Sequence, residues 1–320
     1  MTPSPRSEGR VVALAGGVGA ARFLRGLVGA VDPARLTAIV NTGDDREFYG
    51  VWVSPDVDIV TYTLADIVDR ERGYGLTGDT FHVVDALEAL GHETWFRLGD
   101  RDFAHCQHRT LQMRAGTGLA AITDGLRRRY GVATRILPMS EDPCPTRVEL
   151  SGGVSVHFEE YMVRDGAPDD VERVDLSAAA AARPAPGALE ALREADSVLI
   201  CPSNPVVSIG PILAIPGVRD AIAASGAPVV GISPIIGGAP VKGPADRLLR
   251  GIGAEVSARG VAGLYTGLAH GFVIDERDAA QASDVEALGL RARAVDTLMR
   301  DVSVAAQLAE TALELAESLR

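Results

Sequence analysis

The chain has 320 residues, 47% of them hydrophobic, and a formal net charge of −12. That length holds one large α/β domain or two smaller ones, with an ample core, while the acidity excludes a nucleic-acid partner, which rewards clustered Lys and Arg. Its three cysteines, Cys106, Cys144 and Cys201, are far apart with no CxxC pair, which suits free thiols in a reducing cytoplasm and excludes a disulfide or zinc framework.

Residues 1–10 are polar and predict a flexible N-terminus without the apolar core of a signal peptide. No later stretch reads as membrane-spanning, so a cytoplasmic protein is expected. VVALA (11–15) predicts a buried strand that runs into Gly16, Gly17 and Gly19 and then a helix to about Ala30. Glycine lets the backbone approach a phosphate, and the first N–H groups of the helix then face the anion. The same turn also suits plain strand–helix packing. It lacks the third glycine of a dinucleotide fingerprint and the Gly-Lys-Ser/Thr of a P-loop. LTAIV (36–40) is a second strand. Residues from about 58 to 130 predict a mostly helical insertion, with helical patterns at 79–90 and from about His105 to Tyr130. ATRIL is again strand-like. Residues 147–163 alternate around a Ser-Gly-Gly turn and predict a β-hairpin. RVDLSAAAAARPAPGA reads as a low-complexity connection. DSVLIC (196–201), PVVGIS (228–233) and GFVID (271–275) complete a strand–helix alternation that predicts one α/β domain over 11–320, a mainly parallel sheet flanked by helices.

Acidic residues gather at the ends of these segments: Asn41-Thr42-Gly43-Asp44-Asp45, Ser54-Pro55-Asp56-Val57-Asp58, Leu98-Gly99-Asp100-Arg101-Asp102 and Asp275-Glu276-Arg277-Asp278. Loops at the carboxyl ends of parallel strands converge on ligands, and carboxylates beside a diphosphate require a divalent cation between them. Each cluster taken singly also fits ordinary loop and capping chemistry. Two proline-rich loops, Pro202-Ser203-Asn204-Pro205 and Ser233 to Gly238, leave their strands sharply; Asn204 is a candidate reader of a base edge, and Lys242 or Ser208 a candidate phosphate contact. Either loop also fits a rigid turn. His105 and His108 lack a carboxylate at zinc-ligand spacing, and no serine elbow or Cys–His pair predicts covalent catalysis. Trp52 and Trp95 flank the acidic clusters and suit either core packing or stacking on a flat ring.

These motifs, in order GGVGAARFL, NTGDD, SPDVD, LGDRD, LPMSEDP, PSNPVVSIGPI, SPIIGGAPVKGP, DERD and DTLM, resemble the 2-phospho-lactate transferase (CofD) family of coenzyme F420 biosynthesis along nearly the whole chain. The resemblance implies a Rossmann-like fold with a helical insertion, a homodimer, and a need for Mg²⁺. It also implies transfer of a phospholactyl or phosphoenolpyruvyl group from a guanosine diphosphate-linked donor to the ribityl hydroxyl of 7,8-didemethyl-8-hydroxy-5-deazariboflavin, with GMP released. On that basis Asp44 and Asp45 are metal candidates, and Asp45 and Asp58 are candidates for the base. Asp58, Arg97, Asp100 and Arg101 would line the deazaflavin. Gly16, Gly17, Gly19, Ser203, Asn204 and Gly237 would hold the nucleotide and its phosphates. A non-enzymatic nucleotide-sugar-binding regulator of a related family is the alternative, and SPDVD and LGDRD count against it.

Overall fold

Seven short strands, most of them apolar runs, pair into one parallel sheet in a computed structural model that describes residues 9–320; residues 1–8, most of the expected flexible N-terminus, lie outside the described residues. In chain order the strands are β1 (Val11–Ala15), β2 (Leu36–Val40), β3 (Arg135–Pro138), β4 (Ser197–Ile200), β5 (Val229–Ile232), β6 (Gly271–Asp275) and β7 (Arg291–Val295). Their order across the sheet is β7-β6-β5-β4-β1-β2-β3, with every neighbouring pair parallel. The fold is therefore α/β and doubly wound, as the alternation predicts. The strands read as unbroken apolar runs because helices cover both faces. Val12 and Leu14 of β1 enter one core, while Val11, Ala13 and Ala15 enter the other. β7, RARAV, is an edge strand with exposed residues, and its weak apolar signal explains why the sequence reading passes over it.

The chain runs outward from β1 through β2 to β3, then returns to the other side of β1 for β4 to β7. That reversal opens a crevice at the carboxyl ends of β1 and β4, the usual ligand position in such sheets. Helix α1 (Gly17–Ala30) follows β1 directly and packs on the helix Val302–Glu317. The crossing is close: a Cβ on Gly26 would stand 2.3 Å from the carbonyl carbon of Ala305.

Between β2 and β3 lie a short hairpin (Arg46–Phe48 with Val51–Val53) and helices α2 (Pro55–Leu64), α3 (His82–Ala89), α4 (Asp100–Arg114) and α5 (Leu119–Arg129). The run read as one helix from His105 to Tyr130 is thus two, broken at Gly116, whose φ of +89° no helix interior accepts. Phe48, Val51, Val53, Val84, Leu98 and Cys106 give this region a small core of its own. Residues Arg147–Leu150 and Val154–His157 form a hairpin that Val171–Asp175 extends to three strands. The alanine-rich connection after it is folded in, with Ala179, Ala182, Ala185 and Ala188 buried. Among the described residues, no single helix is long and apolar enough to cross a membrane.

Candidate active site

Four loops meet at the crevice. The turn after β1 is pinned by side chains: Asp56 Oδ1 accepts from the N–H of Gly17 at 2.8 Å, and the Ser203 hydroxyl donates to the Gly16 carbonyl at 2.8 Å. Asn41, at the end of β2, donates from Nδ2 to Asp56 Oδ2 at 2.9 Å and accepts the N–H of Gly43 at 2.8 Å. Asp56 therefore ties the β1 turn to the β2 loop. The turn glycines have separate causes. Gly17 takes a φ of +71°, whereas a Cβ on Gly16 would lie 2.8 Å from Asp56 Oδ2, and one on Gly19 would lie 2.4 Å from the Pro202 carbonyl.

Asp44 and Asp45 are neighbours in sequence and face different surroundings. Asp44 joins Asp56 and Glu159, all three buried. Burial, then the mutual repulsion of these acids, raises Asp44 well above the carboxylate range; burial, then Asp56, pushes Glu159 up to about 8; burial raises Asp56 to about 6. Asp45 accepts from Ser54 Oγ at 2.6 Å and Trp52 Nε1 at 3.3 Å through Oδ2, and burial raises it too. One oxygen of each, Asp44 Oδ1 and Asp45 Oδ1, is buried without a hydrogen-bond partner. Burying a carboxylate oxygen unpaired is costly, so each donor set suits a hard cation that binds oxygen.

Asp58, one turn into α2, pairs instead with the guanidinium of Arg109 from α4. Its Oδ2 is buried and unpartnered. Asp102 faces Asp58 across this space, pushed up to about 7 by burial and then by Asp58, and accepts from Tyr62 OH at 2.7 Å. Tyr62 also meets His105 Nδ1 at 3.1 Å, and His105 Nε2 meets the hydroxyl of Tyr130.

Comparison with known proteins matches the family described as 2-phospho-L-lactate transferase CofD over residues 11–308. This chain belongs to the CofD family. It is 49% identical over 317 residues to the phosphoenolpyruvate transferase of Kitasatospora aureofaciens, with 97% of this chain and 99% of that protein covered. It is 40% identical over 309 residues to the 2-phospho-L-lactate transferase of Methanosarcina acetivorans, with 97% and 100% covered. Among solved structures, a UPF0052-family protein of Bacillus halodurans superposes with a TM-score of 0.66 at 19% identity, covering 96% of this chain and 99% of that one, a likeness of fold. The CofD-family chain is accordingly a transferase of coenzyme F420 biosynthesis.

In this CofD-family fold the crevice collects Gly16, Gly17, Gly19, Ser203, Asp44, Asp45 and Asp58. Asn204 stands at its edge, where its Oδ1 caps the following turn by accepting from Val206 N–H at 3.0 Å. Gly237 is exposed at the turn of a small hairpin, Ile235–Ile236 with Ala239–Pro240, that follows buried Ser233, and its N–H donates to Asp278 Oδ2 at 2.8 Å, which absorbs the DERD motif into loop anchoring. The LGDRD segment is disposed differently. Asp100 caps α3, accepting from the N–H of Val83 at 2.9 Å and of His82 at 3.1 Å; the Thr80 hydroxyl, donating to it at 2.6 Å, and then these backbone bonds hold its carboxyl below the usual range. Arg101 donates to the Thr77 carbonyl at 3.1 Å. Arg97 pairs with Asp85 at 2.5 Å and lines an open depression with Trp95 and Arg164. None of these three side chains touches Asp58; the acid of LGDRD that faces it is Asp102. Met299 of DTLM lines a cleft of about 230 Å³ with Val18, Arg22 and Ile59, beside the first turn of α1.

Sequence reasoning missed Asp56, Arg109 and Glu159. SPDVD holds Asp56 in plain view, two residues before the acid chosen. Arg109 offers only one local signal: it is a charged residue whose helical neighbour Cys106 is apolar and buried. Nothing local marks Glu159.

Proposed function

We propose that this chain transfers a phosphoenolpyruvyl group from a guanosine diphosphate-linked donor to the ribityl hydroxyl of 7,8-didemethyl-8-hydroxy-5-deazariboflavin. The observation that carries this reading is the convergence of the glycine turn, the Asp44–Asp45 loop and Asp58 at the β1/β4 crevice, in a chain of this family. Phosphoenolpyruvyl is favoured over phospholactyl because five relatives named for the former are 46–49% identical to this chain and a sixth 39%, whereas two named for the latter are 39–40% identical.

The α1 N-terminus, with the Asn204 and Gly237 loops, holds the donor nucleotide. Asp44 and Asp45, each with an unpartnered buried oxygen, are the residues that would hold Mg²⁺, and the ion would supply charge neutralisation over the diphosphate. Asp58 Oδ2 accepts the proton of the attacking hydroxyl. The hydroxyl oxygen forms a bond to the phosphorus that carries the enolpyruvyl group as the bond from that phosphorus to the GMP oxygen breaks, so one proton and one GMP leave per phosphodiester made. No covalent enzyme intermediate is required, and positioning carries the rate. The test is end-point mass spectrometry of purified protein, Mg²⁺ and the deazaflavin with guanosine diphosphate-linked phosphoenolpyruvate and phospholactate in competition. The expected result is the phosphoenolpyruvyl diester with stoichiometric GMP; no diester from folded protein overturns the reading.

A further inference from the structure

Arg109 heads the largest fully buried side chains among the described residues, at 1% exposure. It projects from the middle of α4 into the space between α2 and the short hairpin. Its Nη2 meets Asp58 Oδ1, and its Nη1 donates to the Trp52 carbonyl at 3.2 Å and lies 3.7 Å from Cys106 Sγ. Its Nε has no partner. An incompletely bonded buried guanidinium is a poor way to stabilise a core, since well-packed apolar residues in its place are often neutral or better. Stability alone therefore does not account for it.

Placement does. Asp58, Asp102 and Cys106 offer ligand atoms all within 4.8 Å of one another, a grouping that would suit a cation. The guanidinium is that cation, supplied by the fold. It engages Oδ1 of Asp58 and leaves Oδ2 without a donor. We propose that Arg109 is the positioning residue for Asp58, holding the carboxylate by Oδ1 so that Oδ2 is oriented to accept the acceptor's hydroxyl proton. This rests on the transferase reading above. It also gives the helical insertion a purpose, because α4 carries the cation to an acid 51 residues earlier in the chain.

The experiment compares Arg109→Met, Arg109→Lys, Asp58→Asn and the double variant Asp58→Asn/Arg109→Met in the full chain. Melting temperature, GMP affinity, kcat and the donor and acceptor KM are read for each. Arg109→Met is expected to lower kcat by about 100-fold with GMP affinity and donor KM held. Arg109→Lys keeps the charge without the planar fork and is expected to recover about tenfold of that loss. The double variant removes both charges, so it is expected to regain wild-type melting without regaining turnover. Should Arg109→Met fail to fold, Arg109→Lys still decides, because wild-type kcat there overturns the positioning role; the double variant lacks Asp58 and reads stability alone. Wild-type kcat in Arg109→Met overturns the positioning role and leaves the transferase reading intact. A wild type that makes no diester removes the transferase reading, and this role with it.

Discussion

Two acidic clusters border the same crevice and handle buried charge in opposite ways. Around Asp44, Asp56 and Glu159 the carboxylates face one another; burial raises all three, and repulsion from Asp56 raises Asp44 and Glu159 further. Around Asp58 a fully buried guanidinium is already present. The first cluster is balanced by protons or by a cation from solution, the second by a cation the sequence encodes. Acidic clusters that look alike in sequence can thus differ in whether they need a ligand to be stable, and the Asp44–Asp45 loop with Asp56 and Glu159, not the Asp58–Arg109 pair, is expected to respond to Mg²⁺.

The largest break in that contrast comes from Asp58→Asn, which strands Arg109 in the core. It is expected to cost about 3–5 kcal/mol in urea unfolding, whereas Glu159→Gln, which removes charge from the crowded cluster, is expected to be neutral or stabilising. A smaller effect follows from pH. Glu159 titrates at about 8 in the folded chain against 4.5 in the ordinary case, so the native state holds a proton that the unfolded chain has released. Stability from this group is full below about pH 4.5 and falls as pH rises towards about 8, and Asp56 adds to the fall up to about 6. Melting temperature without Mg²⁺ should therefore drop across this window, and either Glu159→Gln or millimolar Mg²⁺ should flatten the slope. An unchanged slope in Glu159→Gln would remove Glu159 from the cluster. The smallest effect is at Asp100, outside both clusters. Asp100→Ala is expected to lose about 1 kcal/mol by uncapping α3. Deazaflavin affinity measured by fluorescence alongside separates this from direct contact: weakened binding at unchanged stability would put Asp100 against the ligand.

Much of the fold is legible because its signals are local. VVALA, LTAIV and GFVID are buried on both faces and so read as unbroken apolar runs, and the glycines and aspartates that follow them mark the strand ends where the crevice forms. RARAV is not legible, since an edge strand keeps only part of that pattern. The break at Gly116 is visible as a glycine, but its left-handed backbone is not. In the site, NTGDD and SPDVD point to the right loops. They do not say which way each acid faces.

The sequence by itself determined the alternation of strands and helices, the positions of the loops and the abundance of acid within them. Tertiary structure decided the partners. Asp56 and Asp58 are two residues apart, and in a helix that separation turns them about 200° from each other, so one reaches the β1 turn and the other reaches Arg109. Glu159 meets Asp44 only because the three-stranded sheet folds back over the β2 loop, where the N–H of Thr146 donates to the Gly43 carbonyl at 2.7 Å. Residue type and spacing carry local geometry, but the charge that balances a buried acid is set by what the folded chain brings to it from elsewhere.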